Sequence, residues 1–358
     1  MIQTLSSSSA SIGFGLVGVG MIADYYVKAI AALATTHDVR LTGVLGRSAE
    51  KAAAFAKTHQ IPFHTADARA FFAHPEIQVV CIVTPSGAHL EPALQGIQAG
   101  KHLIVEKPLE ISVERVDAML DAAERADVKI AAIFQARFSA GALALKAAID
   151  SGRFGRLVLC SAYVKWQRSA AYYRGWKGTL ALDGGGALIN QSIHAVDLLQ
   201  WFAGMPAEVF AWKTRRVHLG IEAEDTLCAS LKFADGALGA LEATTAAWPG
   251  WERRIEICGE FGSAAIEDER IVRWEFRDAR EEDAQLLAVA ANSVSASGAG
   301  SPDQISFKGH QQQIADLVNA LRHGTPLLVD GRQGRQAVVL VRALYASAER
   351  GQPVKIVP

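Results

Sequence analysis

The sequence predicts an α/β protein: residues 1–130 form a doubly wound parallel sheet, and residues 131–358 form a second domain built on an antiparallel sheet. Three observations carry this. Short apolar runs alternate with helical patterns over the first part of the chain, and a glycine-rich turn joins the first run to the first helix. After Lys129–Phe134 the pattern changes to strand-like segments linked by tight-turn signals. At roughly 150 residues per domain, a chain of 358 residues suits two.

In order, Phe14–Val19 is an apolar run and Ile22–Ala34 is helical in pattern; Val39–Leu45 and the Ala-rich Ala49–Thr58 repeat the unit. Gln78–Thr84 has the continuous apolar character of a buried strand and leads to a helix at Ala88–Ala99; His102–Val105 leads to an amphipathic helix at Val113–Arg125. The second part offers strands at Leu157–Trp166, Val209–Arg216, Asp225–Phe233, Ala237–Thr245, Arg253–Cys258 and Ala264–Phe276. Asp235-Gly236 and Gly259-Glu260-Phe261-Gly262 are turns. Ala290–Pro302 reads as a loop or flap, Gln311–Arg322 and Gly334–Arg350 as helices returning toward the first domain.

Composition narrows the function. Half the residues are hydrophobic, 20% are charged and the net charge is −1, so no field attracts nucleic acid or anionic lipid. Cys81, Cys160, Cys228 and Cys258 form no C-x-x-C pair, which argues against a disulfide framework or a metal cluster. No apolar stretch is long enough to span a membrane, and Met1–Ser11 lacks the parts of a signal peptide. A cytoplasmic protein is expected.

Phe14-Gly15-Leu16-Val17-Gly18-Val19-Gly20-Met21-Ile22-Ala23 is a strand running through G-x-G-x-x-A into a helix. Gly18 permits the tight turn, Gly20 lets a pyrophosphate approach the backbone, Ala23 allows close helix packing, and the amides of Met21 and Ile22 open the helix. A dinucleotide-binding Rossmann domain follows. The acid that commonly bonds the ribose 2′-hydroxyl after the second strand is missing. Arg47 and Ser48 stand there instead, which favours NADP(H), with NAD(H) as the second choice.

Two other segments carry chemistry. His102–Val105 runs into Glu106-Lys107-Pro108, and ligands of open α/β sheets bind beyond the carboxyl ends of strands, so Lys107 points toward the cofactor by position. A surface lysine at a strand end fits equally well; Pro108 admits a cis bond. Asp183-Gly184-Gly185-Gly186 opens a helical pattern in which Asn190 and His194, four apart, share a face, with Asp197 near a turn on. An ordinary interface histidine fits there too.

Together these pieces resemble the Gfo/Idh/MocA oxidoreductases over nearly the whole chain: the G-x-G-x-x-A loop, Thr84-Pro85-Ser86-Gly87-Ala88-His89, Gly100-Lys101-His102 to Glu106-Lys107-Pro108, Arg137-Phe138, the triple-glycine helix and Gly324–Pro353. The resemblance implies a large, mainly antiparallel open sheet in the second domain, a homo-oligomer (dimer or tetramer), and hydride exchange with a hydroxyl of a sugar or cyclitol. It makes Lys107 and His194 the catalytic pair and sets Thr84, Pro85, Ser86, His89, Glu106 and Lys107 along the cofactor. Many members carry Asp where this chain has Asn190, and an amide orients substrate but does not relay a proton. A lowered Lys107 pKa beside the oxidised nicotinamide is expected. Trp166, Arg168, Tyr172, Tyr173, Arg174 and Trp176 cluster before the glycines; of these Trp166, Arg168 and Tyr173, with Asn190 and His194, are candidate substrate contacts. Two rival readings stand beside this one: a redox-assisted glycoside hydrolase or lyase, and a dinucleotide-binding regulator without catalysis.

Overall fold

The computed structural model describes residues 11–291 and 306–356. The serine-rich lead and nearly all of the expected flap at Ala290–Pro302 lie outside the described residues. The chain divides into two units: Met1–Glu110, Glu114–Gln135 and Phe307–Arg335 in the first; Ile111–Val113, Ala136–Ser306 and Gln336–Pro358 in the second.

Unit one is built on β1 (Ile12–Val17), β2 (Val39–Leu45), β3 (Phe63–Thr65), β4 (Val79–Ile82), β5 (His102–Val105) and β6 (Ile130–Ala132). Their order is β3-β2-β1-β4-β5-β6, with every pairing parallel. The connecting helices are α1 (Met21–Leu33), α2 (Ala49–His59), α3 (Ala68–Phe72), α4 (Leu90–Gln98) and α5 (Val113–Ala126). Alternation along β1 explains its two faces. Ile12, Phe14 and Leu16 pack with Tyr26 and Ile30 of α1 and with Ile314, Leu317 and Val318 of the returning helix Lys308–His323. On the other face Gly15 leaves no room for a side chain: a Cβ there would stand 2.6 Å from the Phe71 ring.

Unit two holds an eight-stranded sheet of β7 (Leu157–Lys165), β8 (Glu208–Thr214), β9 (Thr226–Lys232), β10 (Leu238–Thr244), β11 (Arg254–Gly259), β12 (Gly262–Glu267), β13 (Arg270–Phe276) and β14 (Val354–Lys355). The order is β13-β12-β11-β7-β10-β9-β8-β14. All neighbours are antiparallel except β7 and β10, which run parallel. Helices α6 (Ala140–Asp150), α7 (Ile193–Ala203) and α8 (Glu281–Ala291) precede Lys308–His323, which is α9, and α10 (Gly331–Arg350). Helix α7 packs on β7 and β11, burying Ala162, Val164, Ile255 and Ile257; the opposite face exposes Leu159, Trp212 and Leu238.

Two expectations are corrected here. Ala264–Phe276 is not one strand: it is the end of one and the whole of the next, divided where Asp268 adopts φ 49° and turns the chain. The regular helix expected from the triple glycine begins only at Ile193 and is preceded by a π-type turn at Ala187–Gln191. Asn190 and His194 therefore do not share one face of one α-helix.

Candidate functional site

In unit one the expected dinucleotide residues follow the carboxyl ends of four adjacent strands. Gly18 leaves β1 at φ 114°, a region open to glycine, and a Cβ there would lie 2.9 Å from the Val83 carbonyl oxygen. Its amide bonds the Leu45 carbonyl at the end of β2. Gly20 is different: its φ is −81° and a Cβ added to it meets nothing within 4 Å. The fold does not demand glycine there, whereas a pyrophosphate approaching the start of α1 does. No side chain caps α1, so its N-terminal amides and dipole face that open space, with Met21 exposed, Ile22 half-buried and Ala23 buried. These residues fit a dinucleotide.

Beyond β2, Arg47 is exposed and makes no ion pair among the described residues, while Ser48 caps α2 by accepting the Lys51 amide at 3.3 Å. Beyond β4, Thr84 Oγ1 donates to the Ala88 carbonyl at 2.9 Å, Pro85 is half-buried and Ser86 is buried. The ring of His89 is buried against main-chain carbonyls of two turns.

Beyond β5 the carboxylate of Glu106 is fully engaged within the protein. Oε1 accepts Tyr26 OH at 3.0 Å and faces His310 Nε2 at 3.0 Å; Oε2 accepts the Lys107 amide at 3.1 Å. Burial pushes this carboxyl up, but the hydrogen bond and charge of His310, with Lys107 beside it, outweigh burial and hold it below the usual carboxylate value. Lys107 is half-buried and joined to Pro108 by a cis bond. His310, on α9, escaped the sequence reading; a lone histidine 204 residues from its partner leaves no local signal.

In unit two the glycines are explained by close approach. A Cβ at Gly186 would stand 1.9 Å from the Glu224 carbonyl oxygen, and one at Gly185 would stand 2.1 Å from Tyr345 OH. The buried Glu224 carboxylate accepts the amides of Gly186 (3.2 Å) and Leu188 (2.9 Å) and the Tyr345 hydroxyl (2.9 Å). Glu224 thus caps amides that open the π-type turn carrying Asn190, which closes where Ser192 donates its amide to the Ala187 carbonyl at 3.0 Å, and His194 follows in the first turn of α7. Below, Arg137 grips Asp197 of α7 bidentately at 2.7 and 2.6 Å, both buried.

Of the substrate candidates, Arg168 and Asn190 enter one polar network. Asn190 Nδ2 donates to the buried Asp183 carboxylate; its Oδ1 accepts Tyr172 OH at 3.2 Å and Gln191 Nε2 at 2.6 Å. Arg168 Nε donates to Gln191 Oε1 at 3.0 Å, and its guanidinium lies over the rings of Trp166 and Tyr172. Burial pulls that guanidinium below its ordinary pKa. Tyr173 bonds Thr245 instead, at 2.6 Å, and its ring lies tilted against that of His218, centroids 4.7 Å apart. Gln191, Asp183 and Thr245 were not singled out from sequence as site residues, although the first two bracket Asn190. No cluster of three or more His, Cys, Asp or Glu suited to a metal, and no helix long and apolar enough to cross a membrane, occurs among the described residues.

Two family models match. Residues 12–134 match an oxidoreductase family with an NAD-binding Rossmann fold, and residues 142–265 match the GFO/IDH/MocA C-terminal domain. The inositol 2-dehydrogenase of Rhizobium meliloti (strain 1021) is 25% identical over 97% of this chain and 99% of its own. The levoglucosan dehydrogenase of Pseudarthrobacter phenanthrenivorans is 28% identical over 65% of this chain and 67% of its own. Among solved structures, the WlbA dehydrogenase from Bordetella pertussis, in complex with NADH and UDP-GlcNAcA, is 30% identical at a TM-score of 0.85, covering 98% of this chain and 99% of that one.

Proposed function

Because the chain belongs to the Gfo/Idh/MocA family of oxidoreductases, we propose that it moves hydride between a nicotinamide dinucleotide and a hydroxyl or carbonyl carbon of a sugar, cyclitol or sugar derivative. The observation that carries the reading is that the Gly18–Gly20 turn and Lys107 follow the carboxyl ends of β1 and β5, the strands on either side of β4.

The bound nicotinamide supplies the hydride donor or acceptor. Lys107 is the base that takes the hydroxyl proton during oxidation and returns it during reduction, a task that requires reach within about 3 Å of that oxygen. His194 shares this proton work, and Asn190 orients substrate by hydrogen bonds. Arg168 and Trp166 supply a cation and an aromatic face to a sugar-like ligand; Tyr173 completes that set. Exposed Arg47, which makes no ion pair among the described residues, supports NADP(H) over NAD(H). The exposed face carrying Leu159, Trp212 and Leu238 supports self-association as a dimer or tetramer, which light scattering measures.

The test is fluorescence titration with NADPH and NADH, followed by turnover of myo-inositol, levoglucosan and UDP-GlcNAcA with the tighter binder. Lys107→Ala is expected to lower kcat roughly a hundred- to ten-thousand-fold with cofactor affinity intact. Binding of neither cofactor, or near wild-type turnover by Lys107→Ala, overturns the reading. A kcat/KM ratio favouring NADH overturns the cofactor choice alone. Glycoside turnover without net change in nicotinamide absorbance selects redox-assisted cleavage.

A further inference from the structure

One buried histidine of unit one has both ring nitrogens turned toward main-chain carbonyls. His89, 1% exposed at the start of α4, places Nε2 3.0 Å from the Thr84 carbonyl oxygen in the turn leaving β4. Its Nδ1 lies 3.0 Å from the Pro108 oxygen and 3.2 Å from the Leu109 oxygen in the turn leaving β5. A carbonyl oxygen only accepts, so each of these contacts is made by a ring N–H as donor. The same two turns are tied again further out. Leu90 donates its amide to Glu110 at 3.3 Å, and Arg115 joins Glu110 (2.9 Å) to Glu91 (2.9 Å) and to the Gly87 carbonyl (3.4 Å).

We propose that His89 is a positioning residue that clamps two turns with separate duties. Through Nε2 it holds the Thr84 turn, which lines the dinucleotide; through Nδ1 it holds the Pro108–Leu109 turn and with it the placement of Lys107. The proposal rests on the reading of Lys107 as the proton-transfer group. It differs from a direct cofactor contact, because the ring nitrogens face protein carbonyls.

The two conservative replacements separate the duties. An Asn amide nitrogen stands near the position of Nδ1, and a Gln amide nitrogen stands near Nε2, so each variant keeps one donor and loses the other. His89→Asn is expected to weaken NADH binding about tenfold in a fluorescence titration, with the smaller change in kcat. His89→Gln is expected to lower kcat about tenfold on the fastest substrate of the panel above, with the smaller change in NADH affinity. Tenfold corresponds to about 1.4 kcal/mol, the size of one lost hydrogen bond. Both parameters moving together in both variants overturns the clamp, as does no change in either. A variant that fails to fold in a thermal melt overturns it too, since the histidine is then a fold determinant. Lys107→Ala run beside them keeps the two readings apart: an active Lys107→Ala sinks the lysine assignment, whereas an inactive one with no split between Asn and Gln sinks the clamp.

Discussion

Replacing Glu106 by Gln tests whether the end of β5 is held by a charge or merely by shape. The wild-type carboxylate faces three donors: Tyr26 OH, His310 Nε2 and the Lys107 amide. A glutamine of the same size has one acceptor oxygen, so whichever way it lies, an N–H opposes at least one of those donors in a buried place. Losing a charge-assisted bond and stranding a buried donor costs about 2–4 kcal/mol at pH 7. All seven tryptophans lie between Trp166 and Trp274, in unit two, so tryptophan emission is a poor reporter of this loss. Urea unfolding followed by far-ultraviolet circular dichroism, with hydrogen exchange of the β5 peptide, reads it directly. The sign with pH is fixed by the lowered carboxyl value. Its contribution is present above the unfolded value of about 4.3 and is lost as pH falls through the lower folded value. The gap between wild type and Glu106→Gln therefore closes as pH drops below about 4.3. A loss under about 0.5 kcal/mol at pH 7, or a gap unchanged into that acid range, would refute the reasoning.

Asn190→Asp, which installs the acid common in the family, sets a second carboxylate against Asp183. One of the pair is then expected to titrate high, so thermal stability falls by about 1–3 kcal/mol at pH 8 and recovers toward pH 5 as a proton is taken up; melts at the two pH values check this. Arg137→Met strands the buried Asp197 carboxylate and is expected to cost about 3–5 kcal/mol. Trp201, whose ring centroid lies 5.0 Å from the Arg137 guanidinium carbon, makes tryptophan emission the measure, and a loss under 1 kcal/mol contradicts the role.

Most of the parallel sheet was legible because its strands are buried on both faces and its glycine turn has a chemical reason. Gly18 and Gly20 could be placed by residue type alone. Features set by partners distant in sequence could not. Strand β3 has only three half-buried or exposed residues, too few for a period to show. The π-type turn carrying Asn190 is capped by Glu224, 36 residues downstream of Leu188, and nothing local marks it, so the spacing of Asn190 and His194 misled. Asp268 looks like any acid until its backbone is seen to turn left-handed between β12 and β13. The parallel pairing of β7 with β10 leaves no mark in either strand's alternation. Lys107, Asn190 and Arg168 stood out as candidates by their side-chain chemistry, whereas His310 and Gln191 draw notice only through what they touch.

That lone parallel pairing has a consequence for how the chain is made. Strands β8, β9 and β10 form one meander and β11, β12 and β13 another, and each can close on its own hairpins. Strand β7 leaves the ribosome before both, yet it lies between them, so its two edges stay unpaired while about 70 to 100 further residues are synthesised. Helix α7 arrives first and covers one face, but it leaves both rows of amides and carbonyls open. The nascent chain is thus most vulnerable to aggregation between Lys165 and Gly259, until β10 and β11 close the two edges of β7.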